Sequence, residues 1–341
     1  MPLFDAGAGG DAIPLTQLTR PGQFDQTGDI NAAAVIEYRD SVEHTIERRS
    51  VLAPFVPIRS VRGTNQIGNY GFGKSTIGKV VPGEAPPASK NDIGRTKLTI
   101  DTVVFTRHAL PLLEVFQTSY DARVELGVED GLEMAKFHDQ AFFIQAAKAA
   151  AATNSPYSAV AGKPAGYTGG SRVVLNAAGD VSDPAKIYQA ISDLMVQFEL
   201  KDVSPGNDGI VIAVRPDVYY ALLGAEQIVN GNYITSKGTK MEGVMMLKAF
   251  GCPVVSSNNI PNTNITGHLM STTNNNNAYD GDFTKLAAVA VSPKAFLAGE
   301  TIPLESDVFY DKIYKSWFVD SHRAFGVTPD RTEYAGAIWL P

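Results

Sequence analysis

Apolar residues recur every three or four positions along two stretches of the chain, which is the spacing of a helix that buries one face. The longer stretch starts at Asp121, a favourable N-cap residue, and runs to about Ala152. At ~1.5 Å per residue this helix would be roughly 48 Å long, the length of a whole domain. The pattern therefore predicts a long helical spine. Its predicted buried positions are Val124, Val128, Leu132, Ala135, Phe142 and Ala146.

The second helical stretch begins at Asp183 and Pro184, residue types that favour the N-cap and the first turn. Its predicted core positions are Ile187, Ile191, Leu194, Met195 and Phe198. Short apolar runs bounded by turn residues follow this helix, and they indicate a compact α/β lobe over residues 183–291. The lobe is predicted to contain strands at 209–214, 253–257 and 286–291, helices at 216–223 and 241–248, and an exposed loop at Asn274–Asn277.

Towards the two ends of the chain the pattern changes. An amphipathic helix is predicted from Asn31 to Pro54, and residues 1–30 are predicted to be extended or disordered because they are rich in Gly, Asp and Pro. Further predicted elements are strands at Lys97–Thr106 and Val173–Leu175 and a long hairpin over 301–340 that carries Trp317, Phe318, Phe325, Tyr334 and Trp339. The fold class is therefore α+β.

Residues 59–97 combine seven glycines and three prolines with only eight large apolar residues. Fixing each backbone residue costs ~1–2 kcal/mol, and burial of so few side chains returns too little to offset that cost. We therefore predict a two-stranded arm that becomes ordered only by lying across another surface, such as a neighbouring subunit. The candidate interface residues on this arm are Arg59, Arg62, Tyr70, Phe72, Lys74, Lys79 and Glu84.

The same arm contains a phosphate-binding pattern. Residues Gly68–Ser75 match G-x-x-x-x-G-K-[ST] at every fixed position. In a nucleotide site a helix must follow this loop, because the helix N-terminus and the backbone amides point at the phosphates. Here Gly78, Pro82 and Gly83 follow, and these residue types oppose a helix. A nucleotide-binding enzyme is therefore kept only as an alternative.

Composition excludes several classes of function. The net charge is -7 and the Lys and Arg residues are scattered, so the sequence offers no basic cluster for sequence-specific binding of nucleic acid. A container for DNA stays compatible with this charge, since its wall should not hold a polyanion that is pumped in and released. Cys252 is the only cysteine and cannot form an intrachain disulfide.

The sequence carries no signal for secretion or membrane insertion. Residues 1–30 do not resemble a signal peptide, because Arg20 is their first basic residue. The apolar run Leu286–Leu297 contains Lys294 and is too short to span a membrane. We therefore expect a soluble protein that is made in a cytoplasm.

No catalytic, metal or cofactor site is predicted. The histidines do not form a pair at the spacing of metal ligands on one helix or strand. His138 and Asp139 are adjacent, and neighbouring residues on a helix point ~100° apart, so their side chains do not face each other. The chain also lacks a G-x-S-x-G elbow and a dinucleotide-binding fingerprint. We therefore expect a protein that is not an enzyme.

Short motifs over residues 50–341 carry a family resemblance. They are Pro82-Gly83-Glu84, Lys97-Leu98-Thr99-Ile100-Asp101, Tyr120-Asp121-Ala122-Arg123-Val124-Glu125, Pro216-Asp217 with Tyr219 and Tyr220, Phe250-Gly251 before Val254-Val255, and Arg331 to Ile338. Their order, with the glycine-rich arm, the spine and the α/β lobe, resembles the tailed-phage major capsid fold of the Hong Kong phage type. Within this fold the sequence is most similar to major capsid proteins of short-tailed, T-seven-like podophages.

The resemblance implies a division of the chain into named parts. These are an N-terminal arm at 1–55, an E-loop at 56–100, a P-domain with the spine helix at 101–182, an A-domain at 183–291, and a return to the P-domain with a β-hairpin at 292–341. In the family the E-loop lies over the adjacent subunit and the A-domain lies at the centre of each capsomer.

The resemblance also implies partners and a location. The expected assembly is a homo-oligomer of hexamers and pentamers that closes into an icosahedral shell around double-stranded DNA in the virion. A separate scaffolding protein, a portal protein and a decoration protein are the further partners that the family suggests, and no membrane is expected. A nanocompartment shell of the encapsulin type, which uses the same fold without packaging DNA, is an alternative.

Overall fold

The structure, a computed structural model, describes residues 50–52, 55–75, 77–80, 82–83, 85, 91–112, 123–158, 164–223 and 248–341. Its helices are α1 (Arg123–Ala151), α2 (Pro184–Glu199) and α3 (Pro216–Leu223), and short 3-10 helices lie at Ala178–Ser182, Thr273–Asn275, Pro293–Ala295 and Thr332–Tyr334. Its strands are β1 (Arg59–Ser60), β2 (Gln66–Phe72), β3 (Ile93–Thr99), β4 (Val104–Pro111), β5 (Ser171–Val174), β6 (Val211–Val214), β7 (Lys248–Ala249), β8 (Cys252–Ser256), β9 (Asn264–Ile265), β10 (Gly281–Asp282), β11 (Leu286–Val291), β12 (Phe296–Asp311), β13 (Ser316–Pro329) and β14 (Ala335–Trp339).

The predicted spine helix is confirmed, because α1 is a single helix of 29 residues. Phe142 is fully buried as predicted, but Val128 is 40% exposed and Leu132 is only half-buried. The buried face of the first half instead contains Asp130, whose Oδ1 lies 2.9 Å from Nε2 of His108. This hydrogen bond raises the pKa of His108 above its ordinary value. The prediction failed there because helical periodicity counts only apolar residues.

Two glycines explain how the chain leaves α1. A Cβ on Gly170 would lie 2.1 Å from the backbone oxygen of Ala149, and a Cβ on Gly169 would lie 2.3 Å from that of Ala152. Only glycine therefore lets the loop cross the last turn of the helix so closely. Lys201 donates from Nζ to the backbone oxygens of Gly169 at 3.0 Å and Gly170 at 2.7 Å, and its burial lowers its pKa.

The chain divides into two compact units, each built from segments that are distant in sequence. The first unit comprises residues 1–54, 100–138 and 300–325. In its described part β12 lies beside β13, and β13 pairs with β4 in antiparallel register. The first half of α1 packs on these strands, and the buried core there consists of Leu110, Met134 and Val319.

The second unit comprises residues 55–99, 139–299 and 326–341, and contains a six-stranded sheet in the order β5-β14-β11-β6-β8-β7. Every residue of β6, β11 and β14 is buried. A strand that is covered on both faces has no polar side, which is why these strands stand out in the sequence as unbroken apolar runs.

Helix α2 lies against this sheet as its apolar pattern predicts. The side chain of Asp183 caps the helix by accepting from the backbone nitrogen of Ala185 at 3.0 Å. A Cβ on Gly336 of β14 would lie 2.8 Å from both Leu194 Cδ1 and Phe198 Cζ, so the helix approaches the strand very closely. All predicted core residues of α2 are buried, which confirms that prediction: Ile187, Ile191, Leu194, Met195 and Phe198.

Several shorter predictions are also confirmed. Helix α3 has the predicted bounds, β11 matches the predicted strand at 286–291, and β5, β6 and β8 lie at the predicted positions within one or two residues. Asn274–Asn277 form a surface turn, in which Asn276 and Asn277 adopt the left-handed conformation.

Two predicted strands differ from the structure. The sequence predicts one strand over 97–106, whereas residues 100–103 separate β3 from β4 and the two strands belong to different sheets. The predicted hairpin over 301–340 is correct only for β12 and β13, because β14 leaves it and pairs with β11 and β5. Alternation alone predicts strands but does not identify the sheet that a strand joins.

Some predictions lie outside the described residues. These are the extended N-terminal stretch at 1–30, nearly all of the helix at 31–54 and residues 241–247 of the helix predicted at 241–248; Lys248 begins β7. Among the described residues no helix is long and apolar enough to cross a membrane. The described part of the chain also contains no cluster of side chains that could hold a metal ion.

Candidate subunit interface

The glycine-rich arm contains a regular two-stranded ribbon. β2 and β3 pair antiparallel, from Gln66 opposite Thr99 to Phe72 opposite Ile93, and we call these two strands the ribbon. Side chains alternate between the faces of a strand, and opposite residues share a face. The burial of β3 follows this alternation from Ile93 to Leu98, where exposed and buried residues take turns. The ribbon therefore has an inner face that its own chain covers and an outer face that is open to solvent.

Glycines bring the inner face close to the rest of the second unit. A Cβ on Gly94 would lie 2.2 Å from the backbone oxygen of Tyr157, and a Cβ on Gly71 would lie 2.8 Å from the ring of Tyr167. Gly71 and Gly94 are opposite each other in the ribbon, so the pair leaves a gap that the two tyrosine rings fill. The rings contact each other with centroids 4.8 Å apart. Any larger residue at either glycine would push the ribbon off this seat.

Polar groups also contact the inner face of the ribbon. We call the surface of the chain that supports this inner face, with Tyr157, Tyr167 and Asp330, the seat of the ribbon. Asn69 donates from Nδ2 to Oδ2 of Asp330 at 2.8 Å, and the Tyr157 hydroxyl donates to the other carboxylate oxygen. Thr96, opposite Asn69, donates to the backbone oxygen of Pro329 at 3.5 Å. Burial and the bond to Asp330 raise the pKa of Tyr157, so the hydroxyl keeps its proton at physiological pH. One carboxylate therefore ties strand β2 and the tyrosine together.

The chain beyond the ribbon is held by Lys74. Its backbone nitrogen donates to the oxygen of Ala165 at 2.8 Å, and its Nζ lies 3.0 Å from Oδ2 of Asp202. Both side chains of this ion pair are exposed, so the pair contributes little stability. Gly166 has a φ of +94° and faces the Lys74 stem, where a Cβ would lie 2.5 Å from Cγ. The backbone contact is thus the firmer of the two.

The structure corrects one expectation about the arm. We expected the arm to find no support in its own chain, and this is wrong for the inner face of the ribbon. The expectation counted large apolar side chains, whereas the support comes from glycine contacts, tyrosine rings and a shared carboxylate. In this setting glycine marks close backbone approach and not mobility.

The outer face of the ribbon exposes large apolar side chains. Tyr70, Phe72 and Ile93 are 62%, 64% and 61% exposed, and Phe72 and Ile93 are opposite each other. The guanidinium of Arg95 lies 5.6 Å from the centre of the Tyr70 ring, and Lys97 continues the same face. A contiguous apolar group with basic neighbours on a ribbon is typical of a surface that another protein covers. Ile77 and Val80, farther along the arm, are exposed as well.

The predicted interface residues have different environments. Tyr70 and Phe72 lie together on the outer face, whereas Lys74 pairs with its own chain. Arg59 donates from Nη1 to Oδ1 of Asn69 at 2.7 Å and so supports the ribbon from the side. The remaining predicted residues are Arg62 and Lys79, which are exposed, and Glu84, which lies outside the described residues.

Sequence reasoning missed several residues of this site. Ile93 and Arg95 belong to the outer face, and the alternation of β3 could have identified them, because every second residue from Ile93 is exposed. No local signal marks Tyr157 or Asp330. Asp330 contacts Asn69 across 261 positions of sequence, so only the fold shows that they meet.

The phosphate-binding pattern has no nucleotide geometry. Gly68–Phe72 form part of β2 and pair with Ile93–Lys97, so these residues are an extended strand and not a loop. The described residues that follow Ser75, at 77–80 and 82–83, are not helical. The match to the pattern is therefore a coincidence of a glycine-rich ribbon.

A second aromatic group lies on the sheet of the first unit, where Phe105 and Phe309 are exposed and Phe318 is buried. The guanidinium of Arg107 lies 5.7 to 6.0 Å from the ring centres of Phe105, Phe309 and Phe318, and its Nε donates to Asp320 at 2.7 Å. Because the cation already has a carboxylate and three rings as partners, this group is largely satisfied within the chain. The outer face of the ribbon is the stronger candidate for an interface.

Comparison with known proteins identifies a family. A family model described as phage capsid protein matches residues 128–340, which is more than half of the chain. No curated protein matches the sequence.

Solved structures share the fold at low sequence identity. The capsid structure of cyanophage P-SCSP1u gives a TM-score of 0.71 at 19% identity and covers 84% of this chain and 86% of that chain. The mature capsid of bacteriophage PhiM1 gives 0.69 at 20% identity, with 98% and 94% covered. The virus-like particle from Pyrococcus furiosus gives 0.52 at 10% identity, with 89% and 99% covered. The predicted α+β fold of the Hong Kong phage type is therefore confirmed.

Proposed function

This chain belongs to the phage capsid protein family, and from that premise we propose how its surface builds a shell. It is a structural protein of the virion, a major capsid protein, and not an enzyme. The family match favours the phage capsid over the nanocompartment shell and over the nucleotide-binding enzyme, which were the alternatives. What the family does not specify is which residues of this chain join one subunit to the next.

The ribbon is the arm that joins subunits. Its outer face, with Tyr70, Phe72 and Ile93, covers an apolar surface of the adjacent subunit within hexamers and pentamers. The observation that carries this proposal is the contrast between its faces, since one face is seated on its own chain and the other exposes three large apolar side chains. Arg95 and Lys97 border the apolar group, so the receiving surface should carry acidic residues at its rim.

The parts of the chain follow the same proposal. Residues 56–100 act as the E-loop, and residues 1–55 as an N-terminal arm. The segment 101–182 with α1, together with the return of the chain at 292–341, forms the P-domain. The segment 183–291 forms the A-domain at the centre of each capsomer. Support comes from the order of elements, because the long helix and the long β12-β13 hairpin flank a compact lobe in sequence.

We propose further that the chain is of the short-tailed, T-seven-like podophage type. The short motifs from Pro82 to Ile338 support this subtype. The partners would be a separate scaffolding protein, a portal protein and a decoration protein, with double-stranded DNA enclosed without sequence-specific contacts. Electron micrographs of virions that contain this protein should show a short tail; a long tail would refute the subtype and leave the shell function intact.

The test of the arm is its removal. Gln66 and Thr99 are opposite each other in the ribbon, so two glycines can replace residues 66–99 without straining the chain. Purified wild-type protein should form capsomers or closed shells in electron micrographs. The shortened chain should fold and stay monomeric in sedimentation, because it lacks the surface that covers its neighbour.

The control keeps the whole arm and changes one residue, Gly78, which lies beyond the end of strand β2. Gly78 faces open space, so Gly78→Ala should fold and assemble as the wild type does. Closed shells of normal size from the shortened chain would refute the proposed role of the arm.

A further inference from the structure

We propose that Tyr157 and Asp330 are positioning residues that hold the ribbon in its assembly-ready direction within the isolated subunit, before a neighbour binds. The inference rests on the proposed function of the ribbon as the intersubunit arm. It differs from that function because it concerns the subunit alone, in which the ribbon could also be a free, mobile arm.

The carboxylate of Asp330 is placed to fix one strand of the ribbon. It is buried, and its two oxygens accept from different donors, Asn69 Nδ2 at 2.8 Å and the hydroxyl of Tyr157. Asn69 is held in turn by Arg59, whose Nη1 lies 2.7 Å from Oδ1. A buried carboxylate that lost these donors would be poorly satisfied, so the arrangement favours the seated ribbon.

Tyr157 fixes the other strand by its shape. Its backbone and Cβ lie within 3 Å of the place where a side chain on Gly94 would begin, and its ring occupies the space beside Gly71. The ring also contacts the ring of Tyr167. The guanidinium of Arg331 lies 5.5 Å from the centre of the Tyr167 ring. Both strands are thus located against one tyrosine, and the ribbon has little freedom to turn about its base.

A seated ribbon presents its outer face ready to bind. Tyr70 and Phe72 on one strand and Ile93 on the other form a patch through the register of the ribbon, and the contacts to Tyr157 and Asp330 fix the direction in which this patch faces. If the ribbon were mobile, each new contact between subunits would have to supply the entropy of ordering it. Tyr157 and Asp330 order the ribbon within the subunit before a neighbour binds. The threshold concentration for assembly is therefore lower than it would be for a subunit with a mobile ribbon.

Hydrogen exchange of the isolated subunit tests the inference. The subunit is kept below its assembly threshold, which sedimentation verifies, and exchange is followed in the amides of β2 and β3. The wild-type ribbon should be protected. In Gly94→Ala the new methyl group meets the Tyr157 backbone, so ribbon exchange should rise about tenfold or more, while the amides of α2 keep their protection.

Gly78→Ala is the matched control, because Gly78 lies in the same arm and faces open space. It should exchange as the wild type does. A wild-type ribbon that exchanges at the rate of an unstructured peptide would overturn the inference, as would Gly94→Ala with unchanged ribbon protection.

A pair of exchanged side chains separates positioning from general stability. Asn69→Asp places two carboxylates against each other and should release the ribbon. Adding Asp330→Asn restores one amide and one carboxylate in reversed places and keeps an acceptor for Tyr157, so protection and shell assembly should both return. If the double variant stays as unprotected as the single one, the contact does not position the ribbon.

The two proposals fail in different ways. Shells that form from a wild-type subunit with an unprotected ribbon would refute the positioning role of Tyr157 and Asp330. They would leave the role of the ribbon as the intersubunit arm intact. A protected ribbon in a subunit that never forms capsomers would refute the proposed role of the ribbon as the intersubunit arm.

Discussion

The ribbon and the six-stranded sheet of the same unit use β-structure in opposite ways. In the sheet, β6, β11 and β14 are buried on both faces, and α2 packs Leu194 and Phe198 directly against the strand that contains Gly336. In the ribbon only the inner face is covered, and Phe72 and Ile93 are left exposed. The sheet buries its apolar surface for its own stability, whereas the ribbon leaves part of its apolar surface exposed, as the proposed interface with another subunit requires.

The difference also lies in how each region is held. The sheet is held by aliphatic and aromatic packing, whose contribution grows with buried area. The ribbon is held by hydrogen bonds to Asp330 and by close approach at Gly71 and Gly94. Substitutions in the sheet should therefore change folding, and substitutions on the outer face of the ribbon should change assembly.

The largest expected effect on stability comes from the packing beneath the sheet. Phe198 is fully buried, so Phe198→Ala should lower the free energy of unfolding by ~3–5 kcal/mol. Leu200 follows two residues later and is 80% exposed, so Leu200→Ala should change it by less than about 0.5 kcal/mol. Denaturant unfolding measures both. Equal losses for the two variants would contradict the buried position of Phe198.

A smaller effect is expected when the same packing is overfilled. Gly336→Ala places a methyl group 2.8 Å from Leu194 Cδ1 and Phe198 Cζ, and should cost about 1–3 kcal/mol. Gly179 faces open space, so Gly179→Ala is the control and should leave the unfolding midpoint in place. A stabilised Gly336→Ala would show that a cavity separates α2 from β14.

The ribbon and the six-stranded sheet should respond differently to alkaline pH. The pKa of Tyr157 is raised, so the folded state favours the protonated hydroxyl. Its contribution is complete below pH about 10, the ordinary value for tyrosine, and is lost as pH rises through the raised value. Methyl NMR signals of Leu98 in the ribbon should therefore change above pH 10 before those of Val289 in β11. Tyr157→Phe should remove this difference, and simultaneous changes at both methyl groups would contradict it.

The smallest expected effect on stability accompanies the largest effect on assembly. Phe72→Ser removes an exposed aromatic ring and should alter the free energy of unfolding of the subunit by less than about 0.5 kcal/mol. It should nevertheless prevent or strongly delay shell formation, followed by light scattering. Leu200→Ser removes an even more exposed apolar residue outside the ribbon and should assemble normally. A normal assembly rate for Phe72→Ser would show that the outer face is not the interface.

The sheet could be predicted from the sequence far better than the ribbon seat. α2, α3 and β11 were predicted because their apolar residues follow a clear period or an unbroken run. The face of α1 was only half correct, because its first half buries Asp130 against His108. A polar residue that is buried with a partner has no signature in one sequence.

The seat of the ribbon could not be predicted because its partners are distant in sequence. Asn69, Tyr157 and Asp330 meet only after the ribbon and the end of β13 have come together. A glycine-rich composition favours a mobile segment, whereas in the structure Gly71 and Gly94 allow close contact with the tyrosine residues beneath the ribbon. Of the candidate interface residues, Tyr70 and Phe72 lie on the exposed outer face, and their role in an interface stays a prediction.

The position of β14 has a consequence for synthesis. This strand lies between β5 and β11, so residues 335–339 fill the interior of a sheet whose other strands precede them in the chain. Until the ribosome has released these residues, β5 and β11 each lack a neighbour and the sheet stays open. A chain interrupted before residue 335 would carry exposed strand edges in place of a finished lobe. We therefore expect only subunits translated through this strand to enter the lattice.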